Sequence, residues 1–272
     1  MGKKIARSTL IILVMIIAIC SFSACKKHEE GAIGEVVVTF IEDYYFKNDL
    51  DKAALWCDKE VLTDLTKEME ELKSCFTEED FAKIGDASNF TSFNVTTEEL
   101  TIKGGSADVK VTIKMPSGDV TNWGYTLKKT DGKWKVAAID KDNYEKGFKV
   151  AADKIAKSFI EGYYNEYRYG QNLKACEKVC TQELSDTIKS DYKKLTDTFE
   201  EQGLSPDTEI AKLVEEAKLD DITVKTDNIV VRWNNAAAHL IIEKADGEVE
   251  KWKCNLQKSN GWKVASFEKI GE

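Results

Sequence analysis

Apolar positions near the start of the chain recur at helical spacing. Val37, Phe40, Ile41, Tyr44 and Tyr45 fall at i, i+3, i+4, i+7 and i+8, one face of a helix. The stripe returns 119 residues later as Ala156, Phe159, Ile160, Tyr163 and Tyr164, and Phe40-Ile41-Glu42-Asp43-Tyr44-Tyr45 recurs there as Phe159-Ile160-Glu161-Gly162-Tyr163-Tyr164. A second stripe, Val61, Leu65, Met69, Leu72 and Phe76, is matched at an offset of 123 by Leu184, Ile188, Tyr192, Leu195 and Phe199. Leu50 and Cys57 match Leu173 and Cys180 at that same offset, so an insertion of four residues lies near Glu166 to Gln171. Such register over five apolar positions marks an internal duplication.

The later part of each half changes to alternation. Trp123, Tyr125 and Leu127 share one strand face, as do Trp252, Cys254 and Leu256. Each set meets a hairpin signal, Asp131-Gly132 or Asn260-Gly261, and continues as Trp-Lys-Val-Ala, Trp134 to Ala137 and Trp262 to Ala265. Upstream strands are predicted near Leu100 to Lys103, Val109 to Met115, Ile222 to Trp233 and Ala237 to Ile242. Thr77 to Lys83 and Ser205-Pro206 to Lys218 predict one further helix per half, the latter with proline at its first position. The fold class is therefore α+β, as two tandem repeats of helices followed by an antiparallel meander. The repeats are placed at 34–140 and 148–268.

Charge narrows the partners. The chain has 39 Lys and Arg against 48 Asp and Glu, a formal charge of −9. Without residues 1–24, which hold Lys3, Lys4 and Arg7, the balance is 36 − 48 = −12. An acidic body repels phosphate backbones, so nucleic acid is not an expected partner.

The first residues carry their own plan. Lys3, Lys4 and Arg7 precede an apolar run from Leu10 to Cys20, and small residues Ser21, Ser23 and Ala24 lead to Cys25. Eleven residues make about 16 Å of helix, short of a hydrocarbon core of about 30 Å. Residues 1–24 are thus predicted to be a secretory signal peptide. Phe22-Ser23-Ala24-Cys25 resembles a bacterial lipobox, with Phe22 where that pattern prefers leucine. The resemblance implies a diacylglycerol thioether on Cys25, a new N-terminus there, and membrane attachment through the lipid. Residues 25–33 are then a polar tether, and the protein is extracytoplasmic, anchored to a bacterial cell membrane.

The whole plan, a long aromatic-faced first helix, further helices and a sheet ending in tryptophan-bearing strands, resembles the nuclear-transport-factor-like (cystatin-like) superfamily. In particular it resembles domains of unknown function found singly or in tandem on bacterial lipoproteins. The resemblance covers roughly residues 34–140 and 150–268 and implies a curved antiparallel sheet wrapped with the helices around a cone-shaped cavity. The candidate cavity lining is then Tyr44, Tyr45 and Trp123, with their mates Tyr163, Tyr164 and Trp252. Packing alone also accounts for such a stripe, since large aromatics dominate cores.

Little in the sequence carries chemistry. Glu42 and Glu161 recur beside the apolar stripe, as on a solvated helix face. His239 is the one histidine of the body and has no identifiable partner for nucleophilic catalysis. Five cysteines, Cys57, Cys75, Cys176, Cys180 and Cys254, remain in the body, an odd number with no essential disulfide expected. Cys176 and Cys180 share a helix face but lack the second ligand pair of a structural zinc site, and buried small residues are the simpler reading. No CxxC or phosphate-cradling glycine loop occurs, and Gly104-Gly105 reads as a turn. No catalytic residue, metal site or cofactor is assigned. The expected function is a binding module for a small apolar ligand or an envelope protein; the alternative is an isomerase- or hydrolase-type enzyme using the cavity of one repeat.

Overall fold

The structure, a computed structural model, describes residues 24–84, 93–115, 118–141, 144–216 and 222–271. The chain divides into two compact units, with boundaries at Glu70/Glu71, Phe81/Ala82 and Tyr144/Glu145. The helical part of the first half is α1 (Ala24–Ile41), a π-helical turn (Glu42–Phe46), α2 (Leu50–Ala53), α3 (Lys59–Cys75) and α4 (Glu78–Ile84). Strands β1 (Asn94–Lys103), β2 (Ser106–Lys114), β3 (Val120–Thr130) and β4 (Lys133–Lys141) follow. The second half repeats the order with α5 (Tyr144–Gly162), a π-helical turn (Tyr163–Tyr167), α6 (Leu173–Val179), α7 (Gln182–Glu201), α8 (Pro206–Glu216), β5 (Thr223–Arg232), β6 (Asn235–Glu243), β7 (Val249–Lys258) and β8 (Trp262–Lys269).

Local chemistry explains the matched helix starts. Asp49 and Asn172, 123 residues apart, cap α2 and α6 by accepting from the backbone N–H of Lys52 and Ala175. Cys57 and Cys180 lie beside Val136 and Val264 in isolated parallel bridges, and the backbone N–H groups of Asp58 and Thr181 donate to Val136 and Val264 oxygens at 2.9 and 2.8 Å. These bridges tie the start of the second long helix to the last strand in each half. Asp131 and Gly132 both take positive φ, 52° and 78°, as the predicted tight hairpin between β3 and β4 requires.

One expectation is corrected. Each sheet is an open four-stranded antiparallel meander, in the orders β1-β2-β3-β4 and β5-β6-β7-β8, and not the curved sheet that the resemblance implied. The register supplies the reason. β2 and β3 pair without interruption from Ser106↔Lys128 to Lys114↔Val120, and β6 and β7 from Asn235↔Gln257 to Glu243↔Val249. The register shifts, at Thr97/Leu100, Thr126/Leu127, Thr226/Asn228 and Asn255/Leu256, fall only in the outer pairs, so the middle of neither sheet has the extra residue that would bend it.

Residues 25–33 lie in the first half of α1. Ile33 stands four residues before Val37 and is fully buried with it, which extends the apolar stripe by one turn, while Glu29 pairs with Lys129 at 2.9 Å. Residues 1–23, most of the expected signal peptide, lie outside the described residues. No helix among the described residues is long and apolar enough to cross a membrane.

Candidate functional site

The six aromatic residues singled out in the sequence gather into two clusters, one in each unit. In both, the tyrosine pair sits at a π-helical turn that follows the long first helix: the N–H of Lys47 reaches the oxygen of Glu42 at 3.0 Å, and that of Arg168 the oxygen of Tyr163 at 3.2 Å. The wider turn rotates the following side chains relative to an unbroken helix. It aims the tyrosines at a tryptophan on the third strand of their sheet.

In the first unit the rings form core. Tyr44, Tyr45 and Trp123 are at most 2% exposed. The Tyr44–Tyr45 and Tyr45–Trp123 centroids are each 4.7 Å apart in edge-on geometry, and Phe40 stacks on Tyr44 at 6.3 Å. Tyr44 Oη donates to the Leu65 carbonyl at 2.9 Å. Lys141, the register partner of Trp123, places its ammonium 4.9 Å from the Tyr45 ring and 5.7 Å from the Trp123 ring, and pairs with Glu68 at 2.8 Å.

In the second unit the cluster reaches the surface. Tyr164 is buried, but Tyr163, Trp252 and Phe267 are only half-buried. Trp252 stacks on Phe267 at 5.6 Å, and Tyr163 meets the edge of Phe267 at 4.6 Å. Lys269 faces Trp252 across the strands as Lys141 faces Trp123.

The decisive group here is one that sequence reasoning missed. Glu250 lies two residues before Trp252 on the same face of β7, and its side chain is 9% exposed. One oxygen, Oε1, accepts from Lys244 Nζ at 2.9 Å and Lys269 Nζ at 3.1 Å. The other, Oε2, accepts from Trp252 Nε1 at 2.9 Å and from the Tyr164 hydroxyl. Four donors on two oxygens satisfy a carboxylate's ordinary capacity. The available signal was the alternation itself, which puts Glu250 on the face of Trp252, Cys254 and Leu256.

These contacts set the protonation states. Burial would raise the Glu250 pKa, but Lys244, Tyr164, Trp252 and Lys269 outweigh it and hold it at about 2. Burial, reinforced by the Glu250 carboxylate that accepts its proton, pushes Tyr164 well above the usual phenol range. Burial likewise raises Tyr163, and it lifts Tyr167 to about 12. At neutral pH the site is therefore an ionised carboxylate, two ammonium groups and neutral phenols. It can hold a ring and a charge in fixed geometry.

The remaining sequence candidates lie elsewhere. Glu42 pairs with Lys47 at 2.9 Å, and Glu161 is exposed. Asp43, between Glu42 and Tyr44, is buried and accepts from Lys47 Nζ and Trp56 Nε1, both at 3.1 Å. His239 pairs in register with Asn228 and Lys253; burial, with Lys253 nearby, lowers its pKa. No group of three or more His, Cys, Asp or Glu able to hold a metal ion occurs among the described residues.

Gly162 stands where the first half has Asp43, and its missing side chain makes room for a ring. A Cβ there would overlap the Tyr167 phenol, with Cε2 at 2.6 Å, and Tyr167 is buried against Phe159. Gly162→Ala is expected to destabilise the second unit by about 1–2 kcal/mol, because displacing the ring costs more than the helix propensity of alanine returns. Urea midpoints measure this, and an unchanged or higher midpoint would show that the ring is free to swing away.

No protein-family model matches this chain, and no curated protein matches it. Among the solved structures similar to it are two NTF2-like proteins. An NTF2-like protein from Campylobacter jejuni, described as a candidate transpeptidase, is 19% identical over 39% of this chain and 96% of its own, with a TM-score of 0.26. An NTF2-like protein involved in plasmid conjugation is 9% identical over 89% of this chain and 96% of its own, with a TM-score of 0.24. Overlap at this level assigns no activity to the present chain.

Proposed function

We propose that the chain is an extracytoplasmic lipoprotein of a bacterial cell envelope, held through lipid on Cys25, whose second unit binds a small apolar ligand carrying a flat ring. The reading of each repeat as nuclear-transport-factor-like belongs to this proposal. The observation that carries the binding role is the half-buried Tyr163–Trp252–Phe267 cluster beside the ion-paired Glu250–Lys244–Lys269 group. The equivalent rings of the first unit are buried against one another, so a ligand has access to aromatic faces only in the second cluster. A partly exposed aromatic cluster with a fixed polar edge suits recognition of a ring by stacking and of an acceptor by lysine.

The pairing of Glu250 with Tyr164 is what an enzyme of the isomerase or hydrolase type would use, but its charge state opposes that role. A general acid or base works best with a pKa near the working pH. Near neutrality Glu250, at about 2, does not take up a proton and Tyr164, raised far above that range, does not release one.

The test is a titration of the full chain with 8-anilinonaphthalene-1-sulfonate, an anionic aromatic probe, followed by probe fluorescence. The wild type is expected to bind it, and Trp252→Ala to bind at least about tenfold more weakly, a loss of about 1.4 kcal/mol, with an unchanged near-ultraviolet spectrum outside that tryptophan. A wild type that binds no probe, or a Trp252→Ala variant that binds equally, overturns the reading.

A further inference from the structure

Cys176 and Cys180 are the two closest thiols among the described residues, their sulfurs 3.2 Å apart. Cys176 is in α6 and Cys180 caps its end in an extended conformation, which turns the second side chain back toward the first. Both are buried, at 0% and 1% exposure. Neither sulfur is bonded to the other, since all five described body cysteines are free.

Packing does not require this pair. At the offset of 123 the first half has Ala53 and Cys57, also buried at 0% and 2%, beneath an equivalently capped helix and beside an equivalent bridge to the last strand. One alanine fills the position of Cys176 there. The second thiol is therefore peculiar to the second unit, where it lies within reach of the other.

The surroundings favour one sulfur as the nucleophile. The Cys180 thiol donates to the Cys176 carbonyl at 3.0 Å, and its sulfur also lies against Cys176 Sγ. This contact, with Lys189 and Lys263 nearby, lowers the Cys176 pKa, while the same neighbour and burial raise that of Cys180. Lys189 and Lys263 are held there by Glu177, which pairs with Lys189 through its carboxylate at 2.5 Å and accepts from Lys263 at its backbone oxygen at 2.6 Å.

We infer that Cys176 and Cys180 form a redox-active dithiol that a peroxide closes to a disulfide within the second unit. The Cys176 thiolate attacks one oxygen of hydrogen peroxide, the O–O bond breaks, and the sulfur leaves as a sulfenic acid while the other oxygen departs as hydroxide and takes up a proton to become water. The Cys180 sulfur then attacks Cys176 sulfur; the S–S bond forms, the S–O bond breaks, and water leaves with the Cys180 proton. Two thiols and one peroxide give one disulfide and two waters. Closure needs the sulfurs to approach by only about 1.2 Å, to an S–S bond of about 2.0 Å. Access comes from opening of α6, a seven-residue helix, which admits a small oxidant more readily than a bulky one.

The test exposes the full chain in its folded state to hydrogen peroxide, alkylates remaining thiols after denaturation, and maps tryptic peptides by mass. Cleavage after Lys174, Lys178 and Lys189 separates the two cysteines, so the bridge appears as peptide 175–178 joined to peptide 179–189, lighter than the sum of the two by two hydrogen atoms. The expected result is this cross-link in the wild type, its reversal by dithiothreitol, and its loss in Cys176→Ala and Cys180→Ala. Cys57→Ala keeps it. Both cysteines fully alkylated after peroxide, Cys176 oxidised beyond sulfenic acid without a cross-link, or a bridge from either residue to another cysteine would each overturn the inference, and the wild-type map decides the matter whatever the folding of the variants.

Discussion

Glu250→Gln is expected to destabilise the second unit by about 2–3 kcal/mol at neutral pH, and by little at about pH 2. The folded-state pKa of about 2 lies below that of an unfolded glutamate, near 4.3. For a depressed carboxylate the stabilisation is complete above the unfolded value and is lost as pH falls from there through the folded value. The wild type should therefore weaken between about pH 5 and pH 2 by roughly the amount that the glutamine variant has already lost at neutral pH. Denaturant titrations followed through tryptophan emission measure both, since Trp252 donates directly to the carboxylate. If variant and wild type keep the same stability difference across that range, Glu250 does not stay ionised to low pH as the four donors dictate. Glu250→Ala should cost more, about 3–5 kcal/mol, because it also leaves Lys244 and Lys269 without their shared partner.

Cys25→Ser is expected to move the protein from the membrane fraction to the soluble fraction almost completely. A diacylglycerol contributes two chains, each worth about 0.8 kcal/mol per buried methylene, and their loss leaves an acidic body without a lipid anchor. Fractionation after a high-salt wash, with detection of the body, makes the comparison. A variant that stays in the washed pellet would mean that the leader spans the membrane or that the body binds it directly, and the lipobox reading would fall.

Much of the helical part of the fold is legible in the chain. Five apolar positions at period 3.6 in each long helix, repeated at constant offsets, place each set on one helix face. Hairpins announce themselves where Asp131-Gly132 supplies positive φ. Strand β1 is less legible for two reasons. It is an edge strand with no fully buried residue, and the register shift between Thr97 and Leu100 breaks its alternation. Ile33 could have extended α1 by the spacing rule, but the polar run of Lys26 to Glu30 masks it.

The candidate site divides in the same way. The sequence by itself determined the duplication, the two aromatic stripes and the strand faces opposite them, because periodicity is a local property of the chain. It also kept all six aromatic candidates open both as core and as lining. Only the tertiary structure decided that the first cluster is sealed and the second partly open, that each sheet is an open meander, and that a π-helical turn aims each tyrosine pair. The same holds for Glu250 and the Cys176–Cys180 contact. Lys244 comes to the carboxylate from the turn after β6, Lys269 from β8 and Tyr164 from a helical turn 86 residues away, and no short-range pattern encodes a meeting of that kind. Spacing put both cysteines on one face; the extended conformation of Cys180 at the end of α6 brought their sulfurs together.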